Sequence, residues 1–377
     1  MHQTKKIKVT ILENNLVVGG VQRLVIDQLT ALTPDMFEVH LITLTQPDRD
    51  DFYERVPKYV RTTRLHFKST KDIKSWIQLI KILKAHPPDV VKSAMYVSNT
   101  IAGVLGLFMK FTVVTAEHNT KDGKNFIQRT INKILSKGSF TTIVDSLQVA
   151  EHLSQHEGVP LDRFTVIHNG VDLNKIRTAQ KTLIPQRDTI RKRYGVQKDE
   201  KLFLSIARMV RQKNHIRMVE AFALLVKQQP TCKLMIVGGG GLKEAVKDRI
   251  KELNIGAHVI LIDATKDIHQ FYSISDFTLL SSDHEGFCIS AMEGLAFGAP
   301  LVSTRVAGVV EYLEDGVNGY FAEKTPKDLA QKMLQITRLT DKELQSFQTA
   351  ATATAENYSV EKYCKQFSRL LTEAVGQ

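Results

Sequence analysis

Cysteine is scarce in this sequence, and long uninterrupted apolar runs are missing. The three cysteines among 377 residues, Cys232, Cys288 and Cys364, are too few and too scattered for a disulfide framework or a structural zinc site. The longest apolar stretch, near 101–114, is interrupted by Lys110 and is shorter than the roughly 18 residues that a membrane-spanning helix requires. We therefore expect a reducing compartment, no disulfides and no transmembrane segment.

Proline and glycine are present in no more than ordinary numbers. With 10 prolines, 21 glycines, 43% hydrophobic and 24% charged residues, the chain is neither collagenous, nor low in complexity, nor disordered. Its first residues, MHQTKKIKVTIL, run from two lysines directly into a strand-like segment, so we expect no secretion signal. A length of 377 residues is too great for one compact core and predicts two domains.

Positive charge is what the sequence has in excess. The 51 lysines and arginines outnumber the 40 aspartates and glutamates, which gives a net charge of +11. Three runs concentrate this excess, with eight basic residues and one acid in 58–84, five and one in 121–137, and nine and three in 175–201. Such runs are typical of solvated helix faces, nucleic-acid contacts and anchors to anionic lipid, and charge alone leaves all three open.

Strand-like runs alternate with helical periods along the whole chain. In the first half, strands are predicted at 7–13, 37–43, 88–94, 111–117, 141–146 and 164–170, and helices at 21–32 and 71–85. In the second half, strands are predicted at 201–207, 232–238, 258–263, 277–281 and 300–304, and helices at 214–228, 241–253, 266–274 and 288–297. The alternation predicts an α/β protein with parallel sheets covered on both faces.

A polar and basic stretch with one proline interrupts this pattern between the two halves. We predict domains at 1–172 and 196–355, a linker at 173–195, and a C-terminal helix in 356–377 that packs back toward the first domain. Ligands of open α/β sheets bind beyond the carboxyl ends of the strands, so two facing domains predict a ligand cleft.

Two adjacent glycines, Gly19 and Gly20, separate the first strand from its helix. Glycine lets a phosphate or a sugar approach the backbone, and a helix N-terminus supplies N–H donors and positive potential. A tight turn also needs glycine for structure alone, so this pair decides little by itself. The dinucleotide fingerprint G-x-G-x-x-G is missing, which disfavours a nicotinamide-dependent dehydrogenase.

The segment SSDHEGFCISAMEGLAFGAPLVST (281–304) carries the strongest chemical signal. Its two glutamates, Glu285 in a loop and Glu293 in the following helix, are eight residues apart and would contact different parts of one ligand. A purely structural interpretation makes the first a helix cap and the second a surface acid, but Glu293 lies among apolar residues, where a buried carboxylate needs a partner. N–H groups at the start of the helix suit a sugar hydroxyl or a diphosphate oxygen, and they belong to Phe287, Cys288 and Ile289.

Taken in order, these motifs resemble those of the GT4 family of retaining glycosyltransferases, the glycosyl transferases of group 1. The resemblance also includes GGVQRLVIDQL (19–29), IHNGVD (167–172), SIARMVRQKNH (205–215), IVGGGGL (236–242) and EDGVNGYF (314–321). It implies the GT-B fold, in which two Rossmann-like domains face each other across a cleft. It also implies transfer of a hexose from a nucleotide-diphosphate sugar, UDP-linked by preference, to a glycan or lipid-linked acceptor in cell-envelope polysaccharide or glycolipid synthesis.

The resemblance assigns roles to individual residues. Arg208 and Lys213 would neutralise the diphosphate of the donor and stabilise the departing nucleotide. Glu293 would hold the ribose hydroxyls, and Glu285 would hydrogen-bond the donor sugar. His118, in TAEHNT, matches the active-site histidine of the family, although a lone histidine after a strand is more often a loop or core residue. The other donor-binding residues implied by the resemblance are Gly19, Gly20, Gly238, Gly239, Phe287, Cys288 and Ile289.

Three positions depart from the family pattern. Gln22 replaces the more usual glutamate of the first loop, and Ala207 precedes Arg208 where a glycine is usual. Asp263 stands where a glycine commonly precedes the nucleotide-base loop, which leaves the base preference open.

The DRD sequence at 48–50 has the form of a D-x-D metal site, but no diphosphate motif lies nearby. We expect no catalytic metal and no cofactor, the nucleotide sugar being a co-substrate.

Two alternatives stand beside sugar transfer. A nucleotide-sugar epimerase on the same fold is disfavoured, because the two glutamates together with Arg208 and Lys213 resemble transferases. A nucleic-acid-binding protein is disfavoured because the basic runs lack interleaved aromatic residues and no binding module is recognised.

The stretch NFIQRTINKILSK (125–137) bears on where such an enzyme would work. Apolar residues recur near helical spacing, with Lys124 just before them and Arg129, Lys133 and Lys137 between them, which suits peripheral binding to an anionic membrane through these four cations. Packing of the apolar face on the sheet explains the pattern as well. The expectation is a cytoplasmic enzyme, with peripheral attachment to the inner face of the cytoplasmic membrane left open.

Overall fold

The chain folds into two compact units, each of which has its own parallel sheet. The computed structural model describes residues 5–17, 19–46, 51–118 and 124–376. Unit 1 comprises Met1–Asn169 and Glu361–Gln377, and unit 2 comprises Gly170–Val360.

Within the described part of unit 1, seven parallel strands form one sheet. The strands are β1 (Ile7–Glu13), β2 (Phe37–Thr43), β3 (Arg61–Arg64), β4 (Val90–Ser93), β5 (Thr112–Glu117), β6 (Thr141–Val144) and β7 (Phe164–Val166). Their order across the sheet is β3-β2-β1-β4-β5-β6-β7. The helices between them are α1 (Gly20–Ala31), α2 (Ile73–Ala85), α3 (Tyr96–Gly106), α4 (Phe126–Ser136) and α5 (Leu147–Glu157).

Unit 2 repeats this arrangement with a six-stranded sheet in the described chain. Its strands are β8 (Lys201–Ile206), β9 (Cys232–Val237), β10 (Val259–Ile262), β11 (Phe277–Leu280), β12 (Leu301–Thr304) and β13 (Gly319–Ala322). They lie in the order β10-β9-β8-β11-β12-β13, and all pairs are parallel. The helices are α6 (Leu173–Leu183), α7 (Arg187–Arg193), α8 (His215–Val226), α9 (Lys243–Glu252), α10 (His269–Ile274), α11 (Ile289–Ala296), α12 (Pro326–Thr337) and α13 (Asp341–Glu356).

The prediction of two Rossmann-like α/β domains is confirmed. The predicted strands match the observed ones to within a few residues, because buried parallel strands read as near-continuous apolar runs. Strands β3 and β13 were not predicted. β3 has the sequence RTTR at the edge of its sheet, and its four residues are exposed or half-buried, so no apolar run marks it.

The stretch 173–195, predicted as a linker, is instead helical and belongs to unit 2. Leu173 and Ile176 of α6 are buried, and so is Ile190 of α7. Arg191 is buried as well and donates a hydrogen bond to the carbonyl of Ile274 at 2.9 Å. The many polar residues of this stretch hide an apolar face that only the neighbouring elements make visible, so the division falls at 169/170.

The final helix, α14 (Val360–Glu373), supplies core residues to unit 1. Tyr363, Phe367 and Leu371 are buried in the same cluster as residues of β1 and α1. The Gln28 side-chain amide of α1 donates to the Tyr363 hydroxyl at 2.6 Å. Unit 1 is therefore completed by the last residues of the chain.

Each sheet contains one point at which the order of its strands reverses. These switch points lie between β1 and β4 in unit 1 and between β8 and β11 in unit 2. Loops that leave the carboxyl ends of these strands diverge to opposite faces, so a crevice forms there in which open α/β sheets bind ligands.

Candidate active site

The two cations singled out in the sequence follow β8, at the switch point of unit 2. Arg208 is exposed, and its guanidinium has no hydrogen-bond or ion-pair partner among the described residues. Lys213 lies in a short 3₁₀ turn, and its Nζ donates to Glu285 Oε1 at 2.5 Å. Since Glu285 follows β11, the pair connects the loops on the two sides of the switch point.

The Lys213–Glu285 ion pair is largely buried, and its charges are stabilised from both sides. Burial alone would lower the pKa of Lys213, but the Glu285 carboxylate outweighs burial and raises that pKa overall. Ser282 donates a further hydrogen bond to the same carboxylate oxygen. Lys213 therefore stays protonated at neutral pH and forms a fixed cationic centre near Arg208.

Hydrogen bonds between the two loops hold this pair in place. The backbone N–H of Asp283 donates to the carbonyl of Gln212 at 2.8 Å, and Arg217 of α8 donates to Asp283 Oδ1 at 2.6 Å. Both contacts join residues close to Lys213 in the chain to a residue close to Glu285. Sequence reasoning did not single out Arg217 or Asp283, because no motif links residues 66 positions apart.

Glu293 lies in α11, and its side chain is only 2% exposed. The Tyr272 hydroxyl lies 3.0 Å from Glu293 Oε2 and 2.9 Å from the carbonyl oxygen of Ser290. Tyr272 is thus a partner of the kind that a buried carboxylate requires. The sequence analysis missed this tyrosine, which lies 21 residues earlier on α10 and carries no motif.

The start of α11 combines an anchored side chain with an unusual backbone. Phe287 is buried and packs against Tyr312 and Tyr358, so only its backbone remains for ligand contacts. Cys288 adopts φ 65° and ψ 75°, a left-handed conformation that is uncommon for a residue with a side chain. It turns the chain so that the N–H of Ile289 opens the helix.

The predicted glycines of unit 2 differ in what requires them. A Cβ on Gly238 would lie 2.1 Å from the carbonyl oxygen of Ala207, so packing alone requires glycine there. A Cβ on Gly239 would meet only Ala264, at 4.0 Å, which is ordinary contact. Of these two positions, Gly239 is therefore the one at which the described structure does not itself require a glycine.

In unit 1, Gly19 and Gly20 follow β1 at the other switch point. Gly19 has an extended backbone with φ −177°, which any residue adopts, and a Cβ there would meet the flexible end of Gln22 at 2.7 Å. A Cβ on Gly20 would meet no described atom within 4 Å. Neither backbone conformation nor crowding thus requires Gly20, which leaves room for a ligand at the start of α1.

His118 follows β5 in unit 1, and its side chain is 9% exposed. Its Nδ1 lies 3.6 Å from Asp145 Oδ2, a carboxylate that the sequence analysis did not single out.

Of the residues predicted to bind the donor or act in catalysis, the structure brings Arg208, Lys213 and Glu285 together in unit 2. Gly19, Gly20 and His118 belong to unit 1.

The possible metal ligands of the DRD sequence, 48–50, lie outside the described residues. In the part of the chain that the structure describes, no group of three or more His, Cys, Asp or Glu side chains is placed to hold a metal ion. The three cysteines are free thiols, and Cys232 and Cys288 are buried.

Helix α4 presents apolar side chains outward. Phe126 is 83% exposed, Ile127 and Ile134 are also exposed, and no residue of the helix is fully buried. The alternative explanation, in which the apolar face packs on the sheet, is thus wrong for these three residues. The helix is attached mainly through other contacts, such as Leu135 against Gly103 and the hydrogen bond from Asn132 to Glu157 at 3.2 Å.

Two further exposed apolar side chains follow α3, and Phe108 is 82% exposed. Leu107 lies beside Gly138, at the end of α4. We call the five side chains together the apolar patch, which consists of Leu107, Phe108, Phe126, Ile127 and Ile134. The basic residues near it in the chain are Lys110, Arg129, Lys133 and Lys137.

The expectation that Lys124 is one of these surface cations is wrong. It is buried, and its Nζ lies 3.0 Å from Glu117 Oε1 and 2.9 Å from Glu157 Oε1. A lysine held between two carboxylates cannot contribute to a basic surface. Burial raises the pKa of Glu157, although Lys124 opposes the shift.

Comparison with known proteins gives family matches over most of the chain. Residues 186–354 match the family described as "Glycosyl transferases group 1", and residues 18–175 match "Glycosyltransferase Family 4". The chain is 24% identical over 352 residues to the UDP-Gal:alpha-D-GlcNAc-diphosphoundecaprenol alpha-1,3-galactosyltransferase of Escherichia coli, with 89% of this chain and 88% of that protein covered. It is 31% identical over 134 residues to the N-acetyl-alpha-D-glucosaminyl L-malate synthase of Bacillus anthracis, with 36% of this chain covered.

For the first two curated relatives the matched segment spans only 42% and 35% of their lengths. The fold is shared more widely than the sequence. The structure of Anabaena HepE in complex with UDP has a TM-score of 0.82 and 18% identity, with 97% of this chain and all of that chain covered. Likeness over nearly the whole chain establishes the GT-B fold expected from the sequence.

Proposed function

Because the chain belongs to the GT4-type glycosyl transferases of group 1, we propose that it transfers a hexose from a UDP-sugar to a glycan or lipid-linked acceptor in the synthesis of cell-envelope polysaccharide or glycolipid. The observation that carries the proposal is the group formed by Arg208, Lys213 and Glu285 at the switch point of unit 2. Its two cations suit the negative charges of a diphosphate, and its carboxylate suits the hydroxyl groups of the sugar joined to that diphosphate.

The proposed chemistry follows from these charges. When the bond between the sugar and the diphosphate breaks, negative charge grows on the departing phosphate oxygens. Arg208 and Lys213 stabilise that charge, and Lys213 does so without reorganising, because Glu285 and Ser282 already hold its surroundings in place. Glu285 also hydrogen-bonds the donor sugar, and Glu293 holds the ribose hydroxyls.

Support for UDP as the nucleotide comes from other proteins. The Escherichia coli relative takes its name from UDP-Gal, and HepE was solved with UDP. The first of these acts on a diphosphoundecaprenol-linked sugar by its name, which supports a lipid-linked acceptor here. Asp263, exposed and paired with Lys243, stands at the position that leaves the base preference open.

A panel of nucleotide sugars in a thermal-shift assay tests the donor. A ligand present at 100 times its Kd stabilises the folded protein by about 2.7 kcal/mol, so the preferred donor will raise the Tm. We expect UDP-sugars to raise the Tm more than GDP- or ADP-sugars. Equal shifts of the Tm across all bases contradict the UDP assignment. In a separate activity assay, conversion of the donor sugar without any acceptor indicates an epimerase instead.

We also predict that transfer retains the anomeric configuration and needs no divalent ion. The support is the family resemblance and the presence of two cations that supply the charge a metal would otherwise bring. In proton NMR, the coupling constant between H1 and H2 of the transferred sugar will be the same in the product as in the donor. EDTA will leave the rate of transfer unchanged. An inverted product, or activity lost in EDTA and restored by Mn²⁺, contradicts this prediction.

We further propose that the enzyme works at the inner face of the cytoplasmic membrane, attached by the apolar patch. Among the described residues, no helix is both long and apolar enough to cross a bilayer. Exposed apolar side chains with lysine and arginine close to them in the chain are typical of interfacial helices on anionic lipid. A lipid-linked acceptor would then meet the protein at the surface in which it is anchored.

A further inference from the structure

A group of buried polar atoms at the carboxyl edge of the unit 1 sheet has no partners. Pairing of the strands sets Glu117 beside Val144 and Val144 beside Val166. The residues that follow, His118 after β5 and Asp145 after β6, are therefore brought side by side. Two residues beyond Ile167 lies Asn169, which joins the same edge.

Asp145 is the centre of this group. Its side chain is almost fully buried, and its Oδ2 accepts a hydrogen bond from Asn169 Nδ2 at 3.2 Å and lies 3.6 Å from His118 Nδ1. No described lysine or arginine forms an ion pair with it. A buried carboxylate needs hydrogen-bond donors, and His118 is the described side chain that, besides Asn169, is placed to donate one.

The unsatisfied atoms are on both members of the pair. Among the described residues, His118 Nδ1 and Nε2 and Asp145 Oδ1 have no hydrogen-bond partner, and Gln148 Oε1 of α5 is a further unpartnered oxygen. Buried polar atoms are nearly always hydrogen-bonded, and those that are not call for an explanation. Hydrogen bonds of catalytic groups are often long without substrate and shorten in the complex.

We propose that Asp145 is a positioning residue for His118. It accepts a hydrogen bond from Nδ1–H, which holds the neutral ring in one tautomer and leaves Nε2 to accept a hydrogen bond from a substrate hydroxyl. Asn169 holds the carboxylate in turn. The inference rests on the proposed function in one respect, because it takes His118 as the side chain that contacts substrate.

Long-range proton–nitrogen NMR of histidine-labelled protein in mildly alkaline buffer tests the pairing directly. We expect His118, assigned by the signals lost in His118→Gln, to be protonated at Nδ1 in the wild type. In Asp145→Asn the amide N–H will donate to Nδ1 and shift the ring to the Nε2–H form. Asp162→Asn, which removes an exposed carboxylate of the same unit, is the control and should leave the spectrum unchanged.

The kinetic consequence is a lower kcat with little change in the KM for the donor. We expect Asp145→Asn to reduce kcat by about 10-fold or more, since the ring is then in the wrong tautomer. An unchanged His118 tautomer in Asp145→Asn overturns the proposal, and so does a tautomer shift with unchanged kcat. If the wild type transfers no sugar at all, the proposed function fails, and the NMR result still judges the pairing.

Discussion

Replacing Arg208 or Lys213 by alanine should reduce kcat/KM for the nucleotide sugar by about 10²-fold or more, the size of effect seen when one donor to a developing oxyanion is removed. Both side chains leave the loop after β8, and Arg208 has no described partner that would keep it from a ligand. Steady-state kinetics with the donor identified by thermal shift will measure the loss. Lys227→Ala, which removes an exposed lysine at the end of α8, is the matched control.

Stability must be separated from catalysis for Lys213. Its removal leaves the buried carboxylate of Glu285 with Ser282 as its one hydrogen-bond donor among the described side chains, and breaking one side of a buried ion pair costs about 3–5 kcal/mol. The double variant Lys213→Met with Glu285→Gln removes both charges and should regain much of the lost Tm while remaining inactive. Arg208→Ala should keep the wild-type Tm. Full turnover in Arg208→Ala and in the double variant would disprove the cationic site.

Changing Phe108 and Phe126 to serine together should reduce partition onto anionic vesicles by about 10²-fold or more, because burial of a phenylalanine side chain contributes about 1.5–3 kcal/mol. Both rings are more than four-fifths exposed, so the fold does not depend on them. Sedimentation with large vesicles of neutral lipid, with and without phosphatidylglycerol, measures the partition. Ile73→Ser, which removes an exposed isoleucine of α2, should bind as the wild type does.

The basic residues contribute to the same binding in a way that depends on salt. Each lysine or arginine near an anionic surface adds about 1 kcal/mol, and salt screens this attraction. Replacing Arg129, Lys133 and Lys137 by glutamine should therefore weaken binding to anionic vesicles at low salt and have little effect on neutral ones. Lys124 is left unchanged, because its charge is buried between Glu117 and Glu157. Equal binding of the wild type to neutral and anionic vesicles would contradict this arrangement.

Much of the fold follows from the sequence because the signals are local. Apolar runs of β-branched residues such as IKVTILE predict a buried parallel strand, and β1 occupies those seven residues. Glu285, Arg208 and Lys213 were found because they belong to segments that resemble a family in a fixed order. Their roles remain predictions, whereas their proximity in unit 2 is a property of the structure.

Only the tertiary structure decided which side chains from distant parts of the chain contact each other. Helical spacing shows that α4 has an apolar face, but not that Phe126 and Ile134 of that face point away from the core. Tyr272 meets Glu293, and Asp145 lies beside His118, because sheet order brings distant segments together. A local pattern specifies which element forms, since it depends on backbone period and burial. Which side chains meet depends on the long-range order of strands, which no local pattern contains.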